Sequence, residues 1–135
     1  MIYPMFAIVL LIFCVGVLNL YWRVTSVMKR KVRARYYKVF HSNGAEIPER
    51  ILAGSRNFAN LFEVPLLFLI TCTVIIAMDM QSPTFVALAW LFVVSRVVHS
   101  VIHMSYNHIL HRMLVFNLGF FSVLAMWVML ILRIQ

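Results

Sequence analysis

Residues 2–22 read IYPMFAIVLLIFCVGVLNLYW, about 21 residues without a charge before Arg23. A helix needs roughly 20 apolar residues to cross the hydrocarbon of a bilayer, so this stretch is long enough to span. It lacks the basic start and small-residue cleavage site of a signal peptide and exceeds the length of a signal core, so it reads as a retained helix. The rest of the chain repeats the pattern. Hydrophobic residues make up 64% of 135 positions, charged residues only 12%, and mean hydropathy is +0.94. A soluble domain carries about 45–50% apolar residues, so the composition excludes an ordinary soluble fold.

After Arg23 comes a basic segment holding Lys29, Arg30, Lys31, Arg33, Arg35 and Lys38, ended by the breakers Ser42, Asn43, Gly44 and Pro48. A second run opens near Glu49 and is apolar from Asn57 to Met78, interrupted by Asn60 and Glu63, with Pro65 permitting a bend. Asp79 to Pro83 makes a short turn with proline at a helical start. The third run is apolar from Thr84 to Val94 and polar from Ser95 onward; the fourth runs from Met113 to Leu132 and closes at Arg133. The expectation is an all-α integral membrane protein, a bundle of four transmembrane helices in one domain over 1–135. The helices should lie at about 2–30, 49–78, 83–107 and 111–133, antiparallel where the loops are short.

The formal charge of +8 is informative through its distribution. Nine of the twelve basic residues lie between Arg23 and Arg56, Arg96 and Arg112 flank the third connection, and Arg133 stands alone at the opposite side. Positive residues near span ends favour the cytoplasm, which places both termini outside it and the first and third connections within it. Nucleic acid is not expected as a partner, because neither stacking platforms nor a folded groove accompany the charge. Cys14 and Cys72 fall inside apolar runs and read as packing residues. A compact chain without targeting signals points to a bacterial inner membrane.

Within the spans, the polar residues fall at helical spacing. Arg56, Asn60 and Glu63 lie at i, i+4 and i+7 on the second helix, with Glu63 roughly 10 Å deeper than Arg56 at 1.5 Å per residue. Arg96, His99 and His103 lie at i, i+3 and i+7 on the third helix, Asn107 follows one turn on, and His111 and Arg112 open the fourth. A carboxylate inside a span costs a few kcal/mol and faces the bundle interior or water. Two readings follow. Glu63 pairs with Arg56, Arg96 or Arg112 and fixes helix register, or the cluster forms a pocket for a polar anionic molecule, gripped by guanidinium groups. His99 and His103, with His108 and His111 nearby, could approach a metal, but no carboxylate or thiolate lies close in sequence and the arginines repel a cation, so no metal is expected.

These residues resemble those of the MAPEG family, the membrane-associated proteins of eicosanoid and glutathione metabolism, which includes microsomal glutathione transferases and microsomal prostaglandin E synthase. The resemblance rests on Glu49-Arg50, on Arg56, Asn60 and Glu63 as R-x-x-x-N-x-x-E, on Arg96-Val97-Val98-His99, and on Arg112 at the start of the fourth helix. It covers the whole four-helix layout, and the separations from Asn60 to Arg96 and on to Arg112 look like those of the prostaglandin synthase branch. It implies a homotrimer with glutathione bound between subunits and open toward the cytoplasm. Arg56, Asn60 and Glu63 would line the site, Arg96 and His99 would join it from the third helix, and Arg112 would hold the thiolate. A neighbouring subunit's first helix would add a basic residue, Arg23 being preferred over Lys29 or Arg30. Two positions depart from the family's pattern: His103 stands where a tyrosine is common, and Met113 where the prostaglandin synthases carry serine. A second register, with Asn57 as the family's asparagine and Asn60 in place of the glutamate, is set aside because it loses Glu63 and the helix-to-helix spacings.

What the resemblance implies, then, is a glutathione-dependent (or related-thiol) transferase or peroxidase acting on a lipophilic small molecule that enters from membrane lipid. Two alternatives stand beside it: a non-catalytic lipid-binding helper of the same family, and a small proton- or metal-coupled transporter built on Glu63, His99 and His103.

Overall fold

A computed structural model describes residues 1–40 and 46–134, so the breakers Ser42, Asn43 and Gly44, with His41, lie outside the described residues. The chain forms α1 (Ile2–Met28), a single turn α2 (Tyr36–Val39), α3 (Glu49–Asn60), α4 (Val64–Ala77), α5 (Pro83–Met104) and α6 (Ile109–Ile134). Four helical stretches are long and apolar enough to cross a membrane: α1, α3 with α4 together, α5 and α6. The protein is an all-α, four-span membrane protein.

Local chemistry accounts for the ends of these elements. Ser82 caps α5 by accepting from the Phe85 amide at 3.4 Å, and Pro83 occupies the first turn, where its missing N–H costs nothing. Helix α4 ends in a Schellman motif: Met80 N–H donates to Ile75 O at 3.0 Å and Asp79 N–H to Ile76 O at 3.0 Å, with Asp79 left-handed at φ 53°. Helix α1 ends the same way. Lys31 N–H donates to Ser26 O and Arg30 N–H to Val27 O, both at 2.9 Å, with Arg30 at φ 54°. The α5–α6 connection turns at Asn107, φ 49°, a residue type that tolerates this region.

The second span departs from a continuous helix. It breaks at 61–63, between α3 and α4, because Pro65 has no N–H to offer the Leu61 carbonyl and its ring crowds that carbonyl. The long-range packing joins α5 to α6, α1 to α3, α4 and α5, α3 to α5, and α4 to α6. One buried stripe of α5, Phe85–Ala89–Phe92–Arg96–His99–His103, recurs every three or four residues and so forms one face. Its first half is apolar and sits in the core with Ile8, Phe68, Ile75, Met126 and Leu130; Phe68 and Phe92 stack at 4.3 Å. The second half is polar and carries the site described below.

Candidate functional site

Arg96 is the centre of the cluster. Where the second span breaks, the last carbonyls of α3 turn to tight local bonds, Phe62 N–H donating to the Ala59 carbonyl at 2.9 Å and Glu63 N–H to the Asn60 carbonyl at 3.4 Å, at the negative end of that helix's dipole. Arg96, fully buried, donates from Nη2 to the Asn60 carbonyl at 3.1 Å, and its guanidinium lies 5.0 Å from the Phe116 ring centroid. The guanidinium is thus a cap supplied by a different helix. Among the described residues its Nε and Nη1 have no partner, and a buried donor without one carries a desolvation cost.

Helix α3 turns Asn57, not the Asn60 side chain, squarely toward α5. Asn57 is fully buried and its Oδ1 accepts from Ser100 Oγ at 3.3 Å, while its Nδ2 finds no partner among the described residues. One turn beyond Arg96, His99 is 2% exposed and its Nδ1 lies 3.2 Å from the Arg112 carbonyl. A carbonyl only accepts, so Nδ1 carries the proton and donates. His103 Nε2 lies 3.2 Å from Arg112 Nη1. A guanidinium only donates, so here Nε2 is the acceptor and the His103 proton sits on Nδ1. Arg112 Nη1 also donates to Asn107 Oδ1 at 2.9 Å, and Asn107 Nδ2 donates to Glu49 Oε1 at 3.4 Å.

This chain, Glu49–Asn107–Arg112–His103, runs from the first turn of α3 across the α5–α6 connection to the buried face of α5. A crevice of about 230 Å³, lined by Glu49, Arg50, Ala53, His103 and Asn107 among others, opens onto it. A fixed, half-buried guanidinium beside a crevice can hold an anion.

Of the residues singled out in the sequence, the structure gathers Arg96, His99, His103 and Arg112, with the backbone of Asn60. Arg56 and Glu63 are exposed on the single chain rather than sealed among the helices. Arg23 is engaged elsewhere: its Nη2 donates to Ser55 Oγ at 3.0 Å and its guanidinium lies 5.3 Å from the Phe40 ring. Among the described residues, no group of three or more His, Cys, Asp and Glu side chains is placed to hold a metal. Sequence reasoning passed over Ser100, although it stands one turn from Arg96 on the same face, and saw Asn57 only in the register it set aside. It gave Glu49 no contact with the arginine, because that contact is made through Asn107.

A four-span helical membrane protein with a guanidinium–histidine cluster at one end of the bundle is the class these features define. Within it the chain belongs to the MAPEG family, whose sequence profile matches residues 1–132, and is thereby a membrane protein of the glutathione and eicosanoid metabolism type. No individual curated protein and no solved structure matches the chain.

Proposed function

We propose that this protein is a glutathione-dependent membrane transferase or peroxidase, in which Arg112 holds the thiol of glutathione, or of a related small thiol, as the thiolate. The observation that carries the reading is the fixed guanidinium of Arg112, held by His103 and Asn107 beside an open crevice. A free thiol has a pKa of about 8.5, and a neighbouring guanidinium lowers it, which raises the share of nucleophilic thiolate at neutral pH. The thiolate sulfur then bonds to the electrophilic atom of a lipophilic substrate delivered by the bilayer, and the pair of the bond broken leaves with the displaced group, an alkoxide where the substrate is a peroxide, which takes a proton from water.

Exposed Arg56 and Glu63, placed within or at the edge of a span, call for cover by something other than lipid tails. We assign that cover to neighbouring copies in a homotrimer, with Arg56, Asn60 and Glu63 lining a site shared between subunits. Arg23 of α1 is the first-helix residue assigned to that site; joining it requires release from Ser55. The first and third connections face the cytoplasm of a bacterial inner membrane, with both termini on the other side.

The test is the ultraviolet absorbance of the thiolate on adding glutathione to detergent-purified protein, wild type beside Arg112→Ala. A band present in the wild type and lost in the variant is the expected result. Absence of the band in both sinks the catalytic reading. It would leave the second reading, a lipid-binding helper, which one observation favours: Arg96 is already occupied in capping the broken span, a structural duty.

A further inference from the structure

We propose that the basic end of the bundle carries a binding site for the phosphate headgroup of an anionic phospholipid, in the cleft between the last turns of α1 and the first turn of α3. The cleft has a volume of about 260 Å³ and is lined by Tyr21, Trp22 and Thr25, by Lys29 and Lys31, and by Arg50 from α3. It shares only Arg50 with the crevice beside Arg112, and the inference does not rest on the glutathione reading.

Three features select the ligand. The first is charge. Three cations line the cleft, and among the described residues its lining has no carboxylate. The acid beside Arg50 in sequence, Glu49, does not line this cleft; it accepts from Asn107 on the other side of α3, in the crevice that Arg50 also borders. The second is preorganisation. The Arg50 guanidinium lies 5.2 Å from the Trp22 ring centroid, a cation–π contact that holds it at the cleft wall. Lys31 is brought back beside Lys29 by the Schellman turn at Arg30, a non-glycine residue held left-handed at φ 54°.

The third feature is level. Trp22 is the last residue of the uncharged run, so Tyr21 and Trp22 sit where hydrocarbon gives way to headgroups, the depth that tyrosine and tryptophan favour. A phosphodiester placed among the cations would lay its glycerol and upper acyl chain along the two rings. Basic clefts between spans are known headgroup sites on these grounds. A freely soluble phosphate would gain from the cations but not from the aromatic walls.

The experiment is native mass spectrometry of the full chain in neutral detergent, with equal amounts of phosphatidylglycerol and phosphatidylcholine. The wild type should retain phosphatidylglycerol preferentially. Each cation near an anionic headgroup contributes about fivefold in affinity, so Lys29→Gln with Lys31→Gln should lower retention roughly twenty-five-fold and Arg50→Gln about fivefold. Both lysines are exposed, and unchanged thermal melts would separate loss of the site from loss of the fold. Equal retention of the two lipids by the wild type, or undiminished phosphatidylglycerol on folded variants, overturns the proposal. Inorganic phosphate added at the concentration of the lipid should not displace it; displacement would assign the cleft to a soluble phosphate and overturn the lipid.

Discussion

Asp79 holds a left-handed conformation that costs an L-residue roughly 1–2 kcal/mol, because its Cβ crowds the backbone. Glycine avoids that clash but loses about 0.5–1 kcal/mol more chain entropy on folding. Asp79→Gly should therefore stabilise the protein slightly, by less than ~1 kcal/mol, seen as a small rise in the thermal midpoint in detergent. A fall would show that the aspartate side chain has a partner of its own. Arg96 is the opposite case. Its guanidinium is the shorter of two donors on the Asn60 carbonyl, at 3.1 Å against 3.4 Å for the Glu63 N–H, so Arg96→Met should destabilise by about 1–3 kcal/mol through the lost charge-assisted hydrogen bond. Arg96→Lys, which keeps one donor, should recover part of the loss; equal melting of Arg96→Met and wild type would refute the capping role. The spacing of Arg96, His99 and His103 was readable because helical period is local. That Arg112 folds back onto His103 was not, because it depends on the left-handed turn at Asn107.

Between helices, α6 meets α5 at a point too tight for a side chain. A Cβ placed at Gly119 would collide with Ser95 Oγ, whose own proton is donated to the Phe92 carbonyl at 2.7 Å. Small residues at such points let spans approach without a hydrophobic drive between them. Gly119→Val should cost about 1–3 kcal/mol by overpacking, read as a lower thermal midpoint. Ser95→Ala added to it should restore part of that loss, since neighbouring sites in one contact are coupled. Sequence reading anticipated a bend at Pro65. It did not reveal that a neighbouring helix would add a charged donor to a carbonyl at the bend, since that requires knowing which face of α5 meets the end of α3.

Across the whole molecule, the single chain covers only 22% of the apolar window of α1 and 28% of that of α6. Residues such as Phe6, Phe13 and Val17 are more than 60% exposed, as surfaces facing lipid or another copy must be. The proposed trimer predicts three chain masses per particle in native mass spectrometry; particles of one chain would leave Glu63 against hydrocarbon and count against the shared site. The proposed orientation predicts that a cysteine at Gln81 is labelled from outside the cell and one at Ser105 only after the membrane is opened. The reverse pattern would invert the topology.

Run length and hydropathy act residue by residue on the cost of crossing the bilayer, so the sequence by itself determined four helical spans and the polar second half of α5. Helical period likewise put Arg96, His99 and His103 on one face. Only the tertiary structure decided that Asn57 rather than the Asn60 side chain meets Ser100, that Arg96 caps α3, that Arg23 turns to Ser55, and that Glu63 stands exposed. The reason is rotational. Spacing along a chain fixes which residues share a face, but the direction of that face is set by how each helix turns about its own axis at the Pro65 break and packs on its neighbours.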